Sequence, residues 1–421
     1  MTRRVRRFSR TEPGFEAILL RTAFHKQINS AMTDYIVTNI TYRDREYTAA
    51  ALIEDQKLSE LVMEPRRETS LVGNVYCGVV SSVSANISGA FVETEKNMLC
   101  FLPLKRHSHI RPSQKVLVQV TKDAAGRKEP VLTEEIRISG KGAVLMMEPG
   151  APLYSRKLSE VQKQIIGSWL GEEEHSFRVL VRTNAAKLEK AAFLNELKEL
   201  EQDMGSIAAR FPGASKGEIL WQQRPFYLSM LRDLYQLPDR CFSNIPSAAA
   251  ELEADIKQCF IEENDGTGEG TEIFRPDAGH ALSLPELYNL PHELDRLIRK
   301  QVFLKSGAFL VIEQTEAFVS IDVNTGKCLK GRIPEETYRK VNLEAAAEIA
   351  RQMRLRNLSG MILVDFITLT NEDHKEELLN VMRKLVKKDH VHTEAVDLTP
   401  LGIMEILRQK VRKPLAEILG V

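Results

Sequence analysis

The sequence predicts an α+β protein of several domains, and three observations carry that reading. The chain has 421 residues, more than one hydrophobic core usually serves. Between residues 71 and 132, five short strand signals follow one another with turns between them. Five strands in about 65 residues is the spacing of a small closed barrel of the OB type. In the last third, apolar strand signals at 308–324 and 361–367 bracket a helical period running from Leu343 to Met353.

Bulk composition narrows the function classes. With 43% hydrophobic and 28% charged residues, the chain reads as a soluble globular protein. The formal net charge is zero, so any polyanion site must be a local patch. Five cysteines (Cys77, Cys100, Cys241, Cys259, Cys328) are scattered without a C-x-x-C pair. Neither a zinc knuckle nor a disulfide framework is indicated, and a reducing cytoplasm fits. No apolar run approaches membrane-spanning length. The basic start Met1-Thr2-Arg3-Arg4-Val5-Arg6-Arg7 is followed only by Ala17-Ile18-Leu19-Leu20, too short for a secretory segment. Residues 1–31 are expected to be poorly ordered, with Met32 starting the fold.

Residues 34–62 read as two or three short strands, through Ile36, Val37, Ile40, Ala50, Leu52 and Ile53. The barrel strands follow: Asn74 to Val80, Gly89 to Glu93, Leu99 to Leu102, Val116 to Val120, and Val131-Leu132. Phe91 lies on the opposite strand face from Ala90 and Val92. Phe91 and Phe101 are then either ordinary core residues or outward platforms on which single-stranded bases stack. Lys122, Arg127 and Lys128, around the turn after the fourth strand, could hold phosphates. Residues 176–183 form a strand ending in Arg182-Thr183-Asn184. An arginine fork and a hydroxyl at a strand end suit a terminal phosphate, although a surface arginine is more often simply solvated.

A long helix is expected over 185–209. The acidic, glycine-rich stretch 262–272 lacks the lysine and the strand-to-helix context of a P-loop, so it reads as a surface loop. No dinucleotide fingerprint is present either. A helix is expected over 287–305, with Leu287, Leu290, Leu294, Leu297 and Ile298 as its stripe. A hairpin pairs 308–313 with 317–324. The helix at 343–353 should bury Leu343, Ala346, Ala347, Ala350 and Met353. Arg351, Arg354 and Arg356 near its end, and the basic stretch 408–413, read equally as surface charge or as polyanion contacts. Gly360 is the stop signal.

The chemistry concentrates in two apolar strands. In Phe318-Val319-Ser320-Ile321-Asp322-Val323-Asn324, alternation puts Phe318, Ser320, Asp322 and Asn324 on one face. In Met361-Ile362-Leu363-Val364-Asp365-Phe366-Ile367, Asp365 shares a face with Met361, Leu363 and Ile367. Both runs read as buried core strands. A buried carboxylate needs a cation, a backbone amide or a metal. Two lone aspartates plus Asn324 favour Mg²⁺, a hard cation that takes such oxygens. An arginine or a backbone amide beside each acid is the competing account.

These strings also carry a resemblance. Glu313-Gln314-Thr315-Glu316-Ala317, Ile321-Asp322-Val323-Asn324-Thr325-Gly326, Asn342-Leu343-Glu344-Ala345-Ala346, the run Ile349 to Leu358, and Val364-Asp365-Phe366-Ile367 resemble, in order and spacing, the catalytic half of the bacterial ribonuclease E/G family. Upstream, Gly73-Asn74-Val75-Tyr76, Gly89-Ala90-Phe91-Val92 and Phe101-Leu102-Pro103-Leu104 look like that family's S1 domain, an OB barrel. Val181-Arg182-Thr183 looks like its 5′-sensor strand.

The resemblance implies an RNase H-like subdomain (32–70 and 225–297) interrupted by an S1 domain (71–142) and a 5′-sensor region (143–224). A DNase I-like catalytic subdomain (298–421) follows. It implies a Mg²⁺-dependent endonuclease, with Mn²⁺ as a substitute, that cuts single-stranded RNA in processing and decay and leaves 5′-phosphate ends. Asp322 and Asp365 fall on the metal-binding aspartates, and Asn324 on the residue that orients the metal and the scissile phosphate. Phe91, Phe101 and Lys128 fall on the RNA-gripping positions, with Lys122 beside them. Arg182 and Thr183 fall on the pair that recognises a 5′-monophosphate.

The sequence departs from the family in three places. Asn184-Ala185-Ala186 lacks the glycine usual after the sensor pair. Thr368 stands where an acid is common. The chain ends at Val421, before the family's C-x-x-C zinc link, so zinc is not expected, and a homodimer would use another interface. The alternative function is a catalytically lapsed, RNA-binding S1 protein.

Overall fold

A computed structural model describes residues 33–66, 70–95, 98–105, 109–124, 128–171, 176–234, 238–259, 272–274, 283–326, 335–399 and 401–421. Residues 1–31, Arg127 and residues 262–271 of the acidic loop lie outside the described residues. The chain divides into two compact units: residues 1–67, 236–251 and 271–421, and residues 68–235 with 252–270.

The first unit holds two sheets. One begins as an antiparallel meander of Thr33–Tyr42, Arg45–Glu54 and Lys57–Pro65. Its two tight turns, Arg43-Asp44 and Asp55-Gln56, have positive φ at both central residues (49° and 60°, 47° and 61°). That geometry matches the twist of a two-residue hairpin. Beyond Thr33–Tyr42 the sheet continues in parallel through Arg240–Ser243 to Glu272–Phe274. A buried ion pair crosses the junction of the first two of these strands: Arg240 donates from Nε to Asp34 Oδ1 at 2.7 Å and from Nη2 to Oδ2 at 2.9 Å. The Tyr288 hydroxyl donates to Oδ2 at 2.9 Å, and burial together with that carboxylate pushes its phenol well up.

The second sheet has the order Gln301–Phe303, Phe309–Gln314, Phe318–Asn324, Gly360–Asp365, Ile403–Arg408, Thr393–Leu398. Only the central pair, Phe318–Asn324 with Gly360–Asp365, is parallel; helix Glu335–Leu355 makes the crossover that such a pair needs. One face packs against this helix and helix Glu372–Val386. There Leu310, Val319, Ile321, Ile362, Val364 and Ile406 meet Ala346, Ile349, Met353, Leu378 and Met382.

Three expectations are corrected in this unit. The strand at 361–367 is shorter and buried on one face only: it ends at Asp365, and Met361 is 47% exposed. Both helices sit on the same side of the sheet, so the other side stays in solvent despite its apolar residues. The helix expected over 287–305 is broken. Leu284–Leu287 and Leu290–Leu297 are short helices divided at Asn289 (φ 53°), and residues 301–303 are a strand. Leu290, Leu294 and Leu297 are buried as the stripe requires. Helix Glu335–Leu355 also starts earlier than expected and is rotated. Ala347 is exposed, while Asn342, Ala345 and Ile349 are buried.

The second unit also holds two sheets. Strands Val75–Ser84, Gly89–Glu93, Leu99–Pro103, Val131–Thr133 and Lys115–Lys122 form a ring, closed where the last pairs with the first. Closure removes the sheet's open edges. Tyr76, Val80, Ala90, Val92, Leu102, Val118 and Leu132 fill the interior, which matches the expected OB-type barrel. The second sheet, Leu153–Tyr154, Arg178–Val181, Ala143–Met146 and Arg137–Ser139, shares a core with helices Glu160–Leu170 and Lys190–Arg210. The latter helix begins at Lys190, because Thr183–Lys187 form a 3-10 turn.

Removing one partner of a buried ion pair strands the other charge. Asp34→Ala should therefore lower unfolding stability by about 3–5 kcal/mol in urea titrations. Replacing Asp34 and Arg240 together by apolar residues should cost much less.

Candidate active site

Alternation along Phe318–Asn324 turns Val319, Ile321 and Val323 into the core and leaves Asp322 exposed. The neighbouring strand does the same with Ile362, Val364 and Asp365. The parallel register sets Asp322 directly beside Asp365. The two carboxylates therefore leave one face of the sheet from adjacent strands, near the carboxyl ends of a parallel pair, where open α/β sheets commonly bind ligands.

Asn324 joins them by donating its Nδ2–H to Asp322 Oδ2 at 2.7 Å. Among the described residues, no arginine or lysine pairs with either aspartate. The guanidinium that the competing account offers each acid is absent from the described structure. The aspartates are exposed rather than buried, so water stabilises their charge.

The chain around the pair is tied down. Gly326 has φ +67°, and a Cβ there would lie 2.5 Å from the Gly307 carbonyl oxygen, so a side chain is excluded just after Asn324. The loop after Asp365 is held from helix Glu335–Leu355 at two points. Asn342 donates Nδ2–H to the Ile367 carbonyl at 2.8 Å and accepts the Ile367 N–H at 3.1 Å. Glu335 accepts from the Thr370 hydroxyl and from the Asn371 N–H at 2.9 Å, with His374 Nδ1 at 3.1 Å. Sequence reasoning missed both residues. A buried asparagine gives no periodic signal, and Glu335 lies outside the helix as read from the sequence. Thr368 is exposed beside this loop.

Among the described residues, no cluster of three or more His, Cys, Asp or Glu is placed to hold a metal ion. Two carboxylates with an amide nonetheless fit Mg²⁺, which often takes only one or two protein carboxylates and completes its shell with substrate phosphate and water.

On the barrel, register sets Phe91 opposite Phe101, Phe101 beside Val131, and Val131 opposite Lys122. The two rings meet edge to face, with centroids 5.9 Å apart. They are half-buried, on the opposite strand face from the interior residues Ala90, Val92 and Leu102. A Cβ on Gly89 would strike the Phe101 ring at 2.2 Å, so glycine is what lets that ring approach the backbone. Lys122 and Lys128 are exposed.

Arg182 and Thr183 already have partners. Arg182 donates from Nη1 to the Gly140 carbonyl and from Nη2 to Asp233 Oδ1, each at 2.6 Å. The Thr183 and Ser155 hydroxyls lie 2.9 Å apart. Nearby, Glu196 accepts the N–H groups of Lys141 and Gly142, and burial pushes its carboxyl up. Asp233 was not singled out in the sequence.

Three of the other arginines are tied into the fold or buried in it. Arg351 donates to the Leu58 carbonyl at 2.8 Å. Arg408 is buried, with its Nε on Asp389 Oδ2 at 2.8 Å. Burial lowers the Arg356 guanidinium to about 10.

The fold and the acid pair define a protein built around an exposed two-carboxylate site on a mixed sheet, with a separate closed barrel. Comparison with known proteins agrees with the motif resemblance. The Ribonuclease E/G family profile matches residues 137–411. Ribonuclease G of Salmonella typhimurium (strain SL1344) is 28% identical, over 92% of this chain and 82% of that protein. Ribonuclease G of Haemophilus influenzae (strain ATCC 51907 / DSM 11121 / KW20 / Rd) is 29% identical, over 91% of this chain and 81% of that protein. Ribonuclease E of Synechocystis sp. (strain ATCC 27184 / PCC 6803 / Kazusa) is also 29% identical, over 90% of this chain and 58% of that protein. The chain belongs to the ribonuclease E/G family. Among the described residues, no helix is long and apolar enough to cross a membrane.

The tether at Glu335 predicts a pH dependence. The Thr370 hydroxyl, the Asn371 amide and His374 hold its carboxyl at about 2, against an ordinary 4.5. A folded-state value below the unfolded one stabilises above pH 4.5 and loses that stabilisation as pH falls towards 2. Melting temperature should drop less over that range in Glu335→Gln than in the wild type.

Proposed function

We propose that this protein is a Mg²⁺-dependent endoribonuclease that cuts single-stranded RNA and leaves 5′-phosphate and 3′-hydroxyl ends, acting in cytoplasmic RNA processing and decay. The observation that carries this reading is the lateral register of Asp322 and Asp365, with no arginine or lysine paired to either among the described residues. Family membership supplies the reaction class, and the aspartate pair supplies a place for it.

Asp322 and Asp365 would hold the metal. When bound, Mg²⁺ supplies Lewis-acid chemistry, easing both the deprotonation of water and the build-up of charge on the phosphate. Asn324 fixes the Asp322 carboxylate by its 2.7 Å bond and leaves the other oxygen free to ligate. Asn342 and Glu335 hold the chain beyond Asp365, so that its carboxylate keeps its place beside Asp322. Mn²⁺, with similar oxygen preference, should substitute.

RNA capture is assigned to the barrel. The Phe91, Phe101 and Lys122 row offers ring surface and charge to a flexible strand, with Lys128 adding charge, and such a surface reads little sequence. Arg182 and Thr183 are assigned to a 5′-monophosphate. Since Asp233 already accepts from Arg182, a phosphate there would have to compete with a carboxylate. The subdomain plan of the resemblance is proposed too: an RNase H-like sheet from 32–70 and 225–297, an S1 barrel at 71–142, a sensor region at 143–224, and a DNase I-like sheet at 298–421.

Asp322→Asn and Asp365→Asn should each cut RNA at least 100-fold more slowly while binding it within about twofold of wild type, since a ligand of a catalytic metal is lost but the barrel is not. Cleavage of a 5′-monophosphorylated, AU-rich oligomer in Mg²⁺, then in EDTA, measures the first; gel shift measures the second. Wild-type cleavage rates in both variants would refute the assignment. RNA binding by the wild type without Mg²⁺-dependent cleavage would instead leave a lapsed nuclease.

A further inference from the structure

Beside the aspartate pair stands an aromatic couple that the cleavage chemistry does not use. Phe309 lies opposite Asn324 in the sheet register, and Phe303 lies opposite Phe309. Residues directly opposite across antiparallel strands share a face. Both rings therefore leave the sheet on the side of Asn324, Asp322 and Asp365. Their centroids are 6.1 Å apart with planes at 54°. Phe303 is 70% exposed, an unfavourable place for a phenyl ring with no partner.

This exposure is built in. The hairpin that presents Phe303 is closed by the Leu304 N–H on the Ala308 carbonyl and by the Ile312 N–H on the Lys300 carbonyl, both at 2.8 Å. The Glu344 carboxylate accepts the Lys305 N–H at 2.7 Å and pins the loop to helix Glu335–Leu355. Leu304 and Leu310, which follow Phe303 and Phe309 in sequence, are buried. The backbone is fixed and the ring still faces solvent.

We propose that Phe303, backed by Phe309, is a stacking platform for an unpaired RNA base beside the scissile phosphate. The inference rests on reading Asp322 and Asp365 as the cleavage site. Strand spacing puts the Phe303 backbone about 10 Å from that of Asn324, within the reach of a neighbouring nucleotide. A ring face accepts any base, so the platform adds grip without sequence choice.

Charge selects this side of the pair. On the outer face beyond Asp365, the two farther strands carry Glu405, Asp397 and Glu394, all exposed. Next to Phe303 in the chain come Arg299, Lys300 and Lys305, also exposed, with Lys300 paired to Glu313 at 2.8 Å. A polyanion anchored at the aspartates is repelled by the acidic side and drawn towards the aromatic one.

The test uses the whole chain and one 5′-monophosphorylated, AU-rich single-stranded oligomer. Phe303→Ala, at an exposed position, should fold normally. It should raise KM for cleavage in Mg²⁺ roughly tenfold, with kcat within about twofold, the cost of one lost base stack. Phe303→Trp should restore KM. In EDTA, where no cleavage occurs, RNA should quench the added indole of Phe303→Trp beyond any change in wild-type fluorescence.

Unchanged KM in Phe303→Ala, or an indole insensitive to RNA, would overturn the platform. A change of oligomeric state in Phe303→Ala by light scattering would overturn it too, by showing that the ring packs against a second copy. Failure of the wild type to cleave would refute the nuclease reading, while the EDTA fluorescence arm would still decide whether RNA lies on Phe303.

Discussion

Everything at the candidate site depends on one parallel strand pairing. Antiparallel neighbours can be joined by a tight turn, but a parallel pair needs a long crossover. Here helix Glu335–Leu355 supplies it, and its placement does two jobs. Its apolar side covers the inner face of the sheet. Its polar residues Glu335 and Asn342 hold the chain that leaves Asp365. A shift of one residue in either strand would send one aspartate into the core and keep the other in solvent. The register is held by Val319, Ile321, Ile362 and Val364 on the buried side, each with less than 2% of its surface exposed.

Much of this was legible in the chain. Alternation in Phe318 to Asn324 places Asp322 and Asn324 together, and the structure does so. The five barrel strands announce themselves through short apolar runs separated by turn residues. Other features were hidden for identifiable reasons. Met361 is apolar yet exposed, so its strand reads as buried on both faces. Asn342 is polar yet buried, because its amide pairs with a backbone carbonyl and N–H much as a neighbouring strand would. Leaving it out turned the predicted helix stripe towards Ala347. The leucine period that ends at Leu297 runs on into Val302, which disguised the strand carrying Phe303. Asp233 stays silent in sequence because its partner, Arg182, is 51 residues away.

The outer face of the six-stranded sheet is uneven in a way that composition conceals. A chain with no net charge still sets Glu394, Asp397 and Glu405 on one flank of the aspartate pair, while the exposed Arg299, Lys300 and Lys305 neighbour Phe303 in the chain on the other. The acidic flank would raise the local cost of bound RNA, while the basic flank lowers it. On the barrel, the Phe91 and Phe101 rings and Lys122 follow the same logic of ring surface next to charge. Both surfaces suit a flexible polyanion gripped without strict sequence choice, which is what the proposed endonuclease requires.

The most direct measurement is an anomalous diffraction map from crystals of the wild-type chain grown with Mn²⁺. The account predicts one Mn²⁺ peak between the carboxylates of Asp322 and Asp365, touching both. A peak bound by only one of them, or manganese found solely at some other cluster, would contradict it.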